Sequence, residues 1–194
     1  MNESHLKFLA SPEWARMLES DLLPWVESVG DLGDDVLEVG PGPGLTTDLL
    51  RQRVAKVTAV EVDELLAAAL KERLAGTNVE VICADATATG LEPDRFSTVT
   101  SFSMLHHMPS AEHQDLLFAE LHRVLRPGGA FVGTDSLDLE PIRAGHVDDT
   151  FVPIAPDALA TRLERAGFGH TTVEVSEYQI RFRSQKADSA AALH

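Results

Sequence analysis

Apolar positions along the chain switch between helical spacing and short continuous runs, and the switches predict its elements. From Pro12 to Val29, the residues Trp14, Met17, Leu18, Leu22, Trp25 and Val26 recur at helical spacing. Ser11 before Pro12 reads as an N-cap followed by proline at the first helical position. Pro24 is expected to kink or split that helix. A compact strand follows at Val36–Val39, then a glycine turn, a helix over Thr46–Val54, a strand over Lys56–Val60, a helix over Glu64–Ala75 and a strand over Val79–Cys83. Another strand, Thr98–Phe102, precedes a helix over Ala111–Leu125 with Leu116, Leu117, Leu121 and Val124 on one face. Arg126-Pro127-Gly128-Gly129 stops this helix, and Ala130–Asp135 is a strand.

Strand–helix alternation of this kind calls for a parallel sheet with helices on both faces. The remainder differs. Leu137–Ala155 lacks periodicity and reads as a long connection; Pro156–Ala166 is a helix ended by Gly167; Thr171–Ser176 and Gln179–Arg183 form an antiparallel pair. The predicted fold is therefore α/β, Rossmann-like and doubly wound: a mostly parallel seven-stranded sheet with an antiparallel C-terminal strand pair. Residues 1–33 are expected to form a helical segment covering the site, 34–183 the domain proper, and 184–194 a small, polar, disordered tail.

Composition narrows the function. At 194 residues and 44% hydrophobic, the chain fits one domain with a real core. Its apolar runs are far shorter than the ~18 residues that span a bilayer, and no basic-then-apolar leader opens the sequence, so no membrane partner and a cytoplasmic location are expected. Cys83, the single cysteine, sits in an apolar run and is expected to be a buried, inert thiol. The formal net charge is −15 and the basic residues are scattered, which disfavours a nucleic-acid partner. A small-molecule partner is expected, with the chain a monomer or homodimer.

The candidate chemistry starts at Gly40-Pro41-Gly42-Pro43-Gly44, between a hydrophobic strand and a helix. Glycine there lets the backbone approach a ligand, and strand-to-helix turns are where open α/β sheets bind nucleosides. Glu61 ends the second strand about 20 residues later, where a carboxylate can accept both hydroxyls of a ribose. Asp85 ends the third strand, so that Glu38, Glu61 and Asp85 would line one rim. The dinucleotide pattern G-x-G-x-x-G fails at Leu45, and the acids Glu38 and Asp48 beside the turn suit a cofactor without phosphates. A nicotinamide-dependent oxidoreductase is thereby disfavoured but stays open, as does a cofactor-binding protein without catalysis.

The stretch Val36–Gly44 resembles the first motif of class I S-adenosylmethionine-dependent methyltransferases. Val57–Asp63 resembles their second strand with its ribose-binding acid, Val81–Ala86 their adenine-side motif, Ser101–His107 the segment after their fourth strand, and Leu125–Gly129 the turn before their fifth. The resemblance implies S-adenosylmethionine as cofactor and S-adenosylhomocysteine as product. It implies that Glu38 orients the methionine amino group, directly or through water, and that Gly40, Gly42 and Gly44 form the turn beside methionine and ribose. By the same resemblance Glu61 holds the ribose hydroxyls, Val62 lies against the adenine, Asp85 and the Ala86 backbone N–H read the adenine edge, and Ser101 to Ser103 sit near the methionine end. Phe96-Ser97 departs from the Phe-Asp found in many members.

Methyl transfer from a sulfonium is an in-line displacement that needs alignment above all, and a base only if the nucleophile must lose a proton. His107, after the fourth strand, is the candidate base or acceptor-orienting residue; His106 is the weaker candidate. His146 with Asp148 or Asp149 has no tight metal spacing, so a surface loop and no metal are expected there. Trp14 and Phe8 either close over the substrate or staple the first helix to the core. The Asn/Asp-Pro-Pro-aromatic motif that in this family accompanies methylation of exocyclic base nitrogens or of glutamine amides is absent after the fourth strand, which with the acidic charge favours a small-molecule acceptor.

Overall fold

The computed structural model describes residues 3–188. Helix α1 spans Glu3–Leu9, α2 Pro12–Met17, α3 Leu23–Ser28, α4 Leu45–Leu50, α5 Glu64–Arg73, α6 Ala111–Val124, α7 Glu140–Gly145 and α8 Pro156–Arg165. Strands are β1 Asp35–Val39, β2 Lys56–Glu61, β3 Val79–Cys83, β4 Phe96–Phe102, β5 Leu125–Ser136, β6 Phe168–Val175 and β7 Gln179–Lys186. They form one seven-stranded sheet in the order β3-β2-β1-β4-β5-β7-β6. The pairs from β3 to β5 are parallel, while β7 runs antiparallel to both β5 and β6. The order reverses between β1 and β4, so a crevice opens at the carboxyl ends of these two strands, where such sheets bind ligands.

Strand alternation splits the core across the sheet. Val36 faces α2–α3 and packs with Leu18, Leu22, Trp25 and Val26; Leu37 and Val39 face the other way, toward Leu117, Phe118, Leu121 and Phe131. Ser11 caps the first long helix by accepting from Trp14 N–H at 3.1 Å. The break expected at Pro24 takes the form of a π turn over Leu18–Leu22 immediately before it. Proline supplies no N–H, and the wider turn absorbs the missing bond. In α6, Leu117, Leu121 and Val124 are buried as expected, but Leu116 is 56% exposed because it falls outside the stripe.

Several expectations need correction. The Arg126–Gly129 turn is not a break before β5: the strand starts at Leu125, opposite Phe96, and the turn is an irregularity within it before pairing resumes at Thr98–Ala130. The Leu137–Ala155 connection contains α7. The loose tail does not begin at Ser184, because β7 continues through Lys186. Ser184 is buried and its hydroxyl lies 2.6 Å from that of Thr171. Lys186 Nζ donates to Asp94 at 2.6 Å and to the His122 and Leu125 carbonyls at 2.9 Å each. Residues 189–194 of that tail lie outside the described residues. Cys83 is exposed rather than buried, since β3 is the sheet's edge strand and Cys83 its last residue.

A Cβ on Gly133, in the middle of β5, would meet the Phe182 ring at 2.4 Å and the Ser101 carbonyl at 2.7 Å. Backbone cannot yield there, so Gly133→Ala is expected to cost about 1–3 kcal/mol of stability, as overpacking does. Urea denaturation should show a lower midpoint at an unchanged slope; an unchanged midpoint contradicts this packing.

Candidate functional site

The crevice is built on the turn after β1. A Cβ at Gly40 would lie 2.2 Å from Met104 Cγ and one at Gly44 2.3 Å from Leu70 Cδ1, both side-chain atoms that can shift; it is the positive φ, +67° and +84°, that demands glycine at these two positions. At Gly42 φ is likewise positive, +53°, but nothing lies within 4 Å of where a Cβ would be. Its open side faces the crevice, which leaves backbone next to any bound ligand.

Two carboxylates shape this turn. Glu61 accepts from Gly42 N–H through Oε2 and from Asp63 N–H through Oε1, each at 3.0 Å. Glu38 lies beneath, buried, and accepts from the Thr46 hydroxyl and, at 2.6 Å, from that of Thr47. Burial raises the Glu38 pKa to about 7; the two threonine hydroxyls oppose the rise, and the nearby Asp48 and Glu61 charges add to it. The acidity expected around the turn is smaller than the sequence suggests. Asp48 is paired with Arg51 at 2.8 Å and Arg73 at 2.5 Å, and Arg73 also donates to the Pro43 and Gly44 carbonyls.

Around the turn lies a pocket of about 480 Å³, within the usual range of small-molecule sites, about 300–1,000 Å³. Of the sequence candidates, Gly40, Gly42, Glu61, Val62, Asp85, Ala86, Ser103 and His107 line it. Glu38, Gly44 and Ser101 do not. Glu38 touches the pocket only through Thr46, which lines it; Gly44 is turned against α5; Ser101 is buried within β4. Asp85 is exposed and accepts from the Thr87 N–H and hydroxyl, both at 2.8 Å. Ser103 sits at φ +52°, a strained conformation for a non-glycine residue, held by its N–H bond to the Thr134 carbonyl at 2.8 Å.

Leu6, Leu9 and Trp14 close one side of the pocket. The Phe8 ring packs against Trp14 at 5.4 Å, tilted by 52°, but does not line the pocket. Thr46, Met104, Met108 and His113 also line it and escaped the sequence reading. Periodicity marks burial, and these residues sit in the first turns of helices (Thr46 in α4, His113 in α6) or in the segment between β4 and α6 (Met104, Met108). The largest correction concerns His146. It is not on a surface loop but only 8% exposed, with Nδ1 at 2.7 Å from the Ile142 carbonyl. Its ring lies 5.0 Å from that of His106 and 5.1 Å from that of His107. His106 is buried against Asp135, so only His107 of the adjacent pair reaches the pocket.

Residues 37–133 match the family model described as a methyltransferase domain, half of the chain. The chain belongs to this methyltransferase family. The membership decides between the two enzyme classes against the nicotinamide oxidoreductase. The domain is 36% identical over 110 residues to a ubiquinone biosynthesis O-methyltransferase of Pseudomonas fluorescens, a match covering 54% of this chain and 46% of that protein. It is 45% identical over 74 residues to a ribosomal RNA small subunit methyltransferase A of Koribacter versatilis, covering 37% of this chain and 26% of that one. The chain thus spans less than half the length of these curated relatives. A SAM-dependent methyltransferase structure from Aquifex aeolicus superposes with a TM-score of 0.74 at 23% identity, over 95% of this chain and 98% of that one. The fold is that of the S-adenosylmethionine-dependent class I enzymes. No helix among the described residues is long and apolar enough to cross a membrane.

The methyltransferase pocket fits that cofactor. Gly42 leaves room beside the turn, and each Glu61 oxygen, with one N–H bond already made, retains lone pairs for a ribose hydroxyl. The buried Glu38 gives a test of the turn's electrostatics. With its pKa raised from 4.5 to about 7, the folded protein holds a proton there that the unfolded chain releases. Stability from this group is therefore full below pH ~4.5 and falls as pH rises toward ~7, by about 3 kcal/mol. Glu38→Gln should remove this loss. Its stability relative to wild type, from denaturation at several pH values, should rise by about that amount between pH ~4.5 and ~8; a pH-independent difference contradicts the assignment.

Proposed function

We propose that this methyltransferase domain transfers the methyl group of S-adenosylmethionine to a small-molecule acceptor. The observation that carries the reading is the pocket itself. The Glu61-braced glycine turn lines it together with Met104, His107, Met108 and Pro109, and Leu6, Leu9 and Trp14 of the N-terminal helices line it as well. An apolar cover and a net charge of −15 favour a small acceptor over a nucleic-acid strand.

In this reading Glu61 holds the ribose, Val62, Asp85 and Ala86 frame the adenine, and Glu38 acts through Thr46 to fix the turn at the methionine end. Ser101, buried in β4, supports that end from beneath, and Ser103 lines it. When bound, S-adenosylmethionine supplies an activated methyl group: the acceptor's lone pair forms the new bond while the carbon–sulfur bond breaks and its electron pair stays on sulfur. His107 orients the acceptor, since it is the one ring of the adjacent histidine pair that lines the pocket. The N-terminal helices keep bulk water from the reacting atoms.

Transfer of labelled methyl groups to a library of hydroxyl, amine and thiol compounds should yield at least one acceptor. Cofactor binding with no transfer to any of them would instead support a non-catalytic binding protein. Glu61→Ala should weaken S-adenosylmethionine binding by about 10–100-fold, the worth of hydrogen bonds to a charged group; unchanged affinity refutes the ribose role. His107→Ala should lower the transfer rate by about 10²–10⁴-fold at unchanged cofactor affinity, and a wild-type rate removes it from the mechanism.

A further inference from the structure

Beyond the cofactor end of the pocket, three histidines from two distant segments meet. His106 and His107 belong to the short 3₁₀ turn after β4, and His146 follows α7. One ring nitrogen from each lies within 4.8 Å of the other two. His106 is 1% exposed, His146 8%, and the His107 side chain 12%. Two of these rings hydrogen-bond an oxygen through Nδ1, His106 to Asp135 Oδ1 and His146 to the Ile142 carbonyl at 2.7 Å, while His107 Nδ1 lies 3.8 Å from Asp149 Oδ1, outside hydrogen-bond distance.

That pattern is what metal-bound imidazoles show. A ligating histidine gives its second ring nitrogen to a carboxylate or backbone carbonyl, which fixes ring and tautomer. His106 Nε2 is buried with no hydrogen-bond partner among the described residues, a costly state for a ring otherwise fully ordered. Two carboxylates, Asp135 and Asp149, lie buried against these rings, their side chains 0% and 4% exposed. The segment carrying His146 is tied to the 3₁₀ turn: Val152 N–H donates to the His106 carbonyl at 2.7 Å, and Gln114 bridges the Leu105 and Val152 carbonyls at 3.0 and 2.8 Å. Phe151 packs on His106 and His146 and shields them.

We propose that His106, His107 and His146 bind a divalent transition-metal ion of the zinc class, with an open ligand position toward the pocket for an oxygen of the methyl acceptor. Three imidazole nitrogens suit zinc and its neighbours, whereas magnesium and calcium prefer oxygen ligands. Zinc–nitrogen bonds of about 2.0–2.1 Å in a tetrahedron place the three nitrogens about 3.3 Å apart, so the rings close in from a spacing that reaches up to 4.8 Å. Three protein ligands leave a fourth position open, and His107 is the ligand that also lines the pocket, beside Met104 and Met108. An ion there lowers the pKa of a bound hydroxyl, whose proton passes to solvent water. His107 then orients the acceptor through the ion it holds. The acceptor half of this inference rests on the methyl-transfer reading; the ion site does not.

The test is zinc titration of the chelator-treated full chain by calorimetry, together with the visible spectrum after cobalt(II) substitution. Expected are one ion per chain and the intense absorption of four-coordinate cobalt. His146→Ala should lower zinc affinity by more than about 100-fold, and Asp135→Asn by about 10–100-fold as loss of an orienting partner does. His113→Ala, in the pocket wall outside the cluster, should leave zinc affinity unchanged. S-adenosylmethionine affinity, measured on the same samples, reports whether each variant is folded and whether the cofactor reading holds, independently of zinc. Absence of zinc binding in the wild-type chain, or binding that survives both His106→Ala and His146→Ala, overturns the site. Acetohydroxamate, an oxygen-donor probe, should shift the cobalt spectrum; an unshifted spectrum overturns the open position.

Discussion

Glu61 ends β2 with its carboxylate turned across the rim of the sheet, where it accepts from Gly42 N–H and Asp63 N–H at 3.0 Å each. Those two bonds join the glycine turn of one βα unit to the start of the next. Asp63 in turn caps α5 through the Leu65 and Leu66 N–H groups at 2.9 and 3.0 Å, and Arg73 at the far end of α5 donates back to the Pro43 and Gly44 carbonyls. The turn is thus clamped from both ends of one helix. Its geometry is set before any ligand arrives, the condition under which a polar pocket binds without a large ordering cost.

The rest of the site hangs from this clamp. The sheet order brings the segment after β4 to this turn: Ser103, in its strained conformation, directly follows the strand, Met104 packs against Gly40, and His107 lines the pocket with them. Glu38 stabilises the turn from below at an electrostatic cost, because its carboxylate is buried among two other acids with only hydroxyl donors to satisfy it. Proteins keep such strained groups where the pocket needs them.

The strands and their parallel and antiparallel pairing were legible in the sequence because each depends on local pattern: apolar runs, alternation and glycine at strand ends. Of the three acids expected on the rim, Glu61 and Asp85 line the pocket and Glu38 lies beneath it; His107 lines it from the short turn after β4. What stayed hidden depends on contacts distant in sequence. Cys83 looks buried by its neighbours but sits on an edge strand. Ser184 looks like the start of a tail yet pairs with Phe131 of β5. His146 lies in a segment without periodicity, and only the fold brings it to His106, whose partner Asp135 is on another strand. Local pattern cannot register a cluster assembled from three segments.

The central claim is that the Glu61-braced turn holds S-adenosylmethionine. Calorimetric titration of the chain with S-adenosylmethionine, S-adenosylhomocysteine and NAD tests it most directly. Binding of the first two, without binding of NAD, is the predicted result. Tight NAD binding with no response to either sulfur-containing ligand would contradict it.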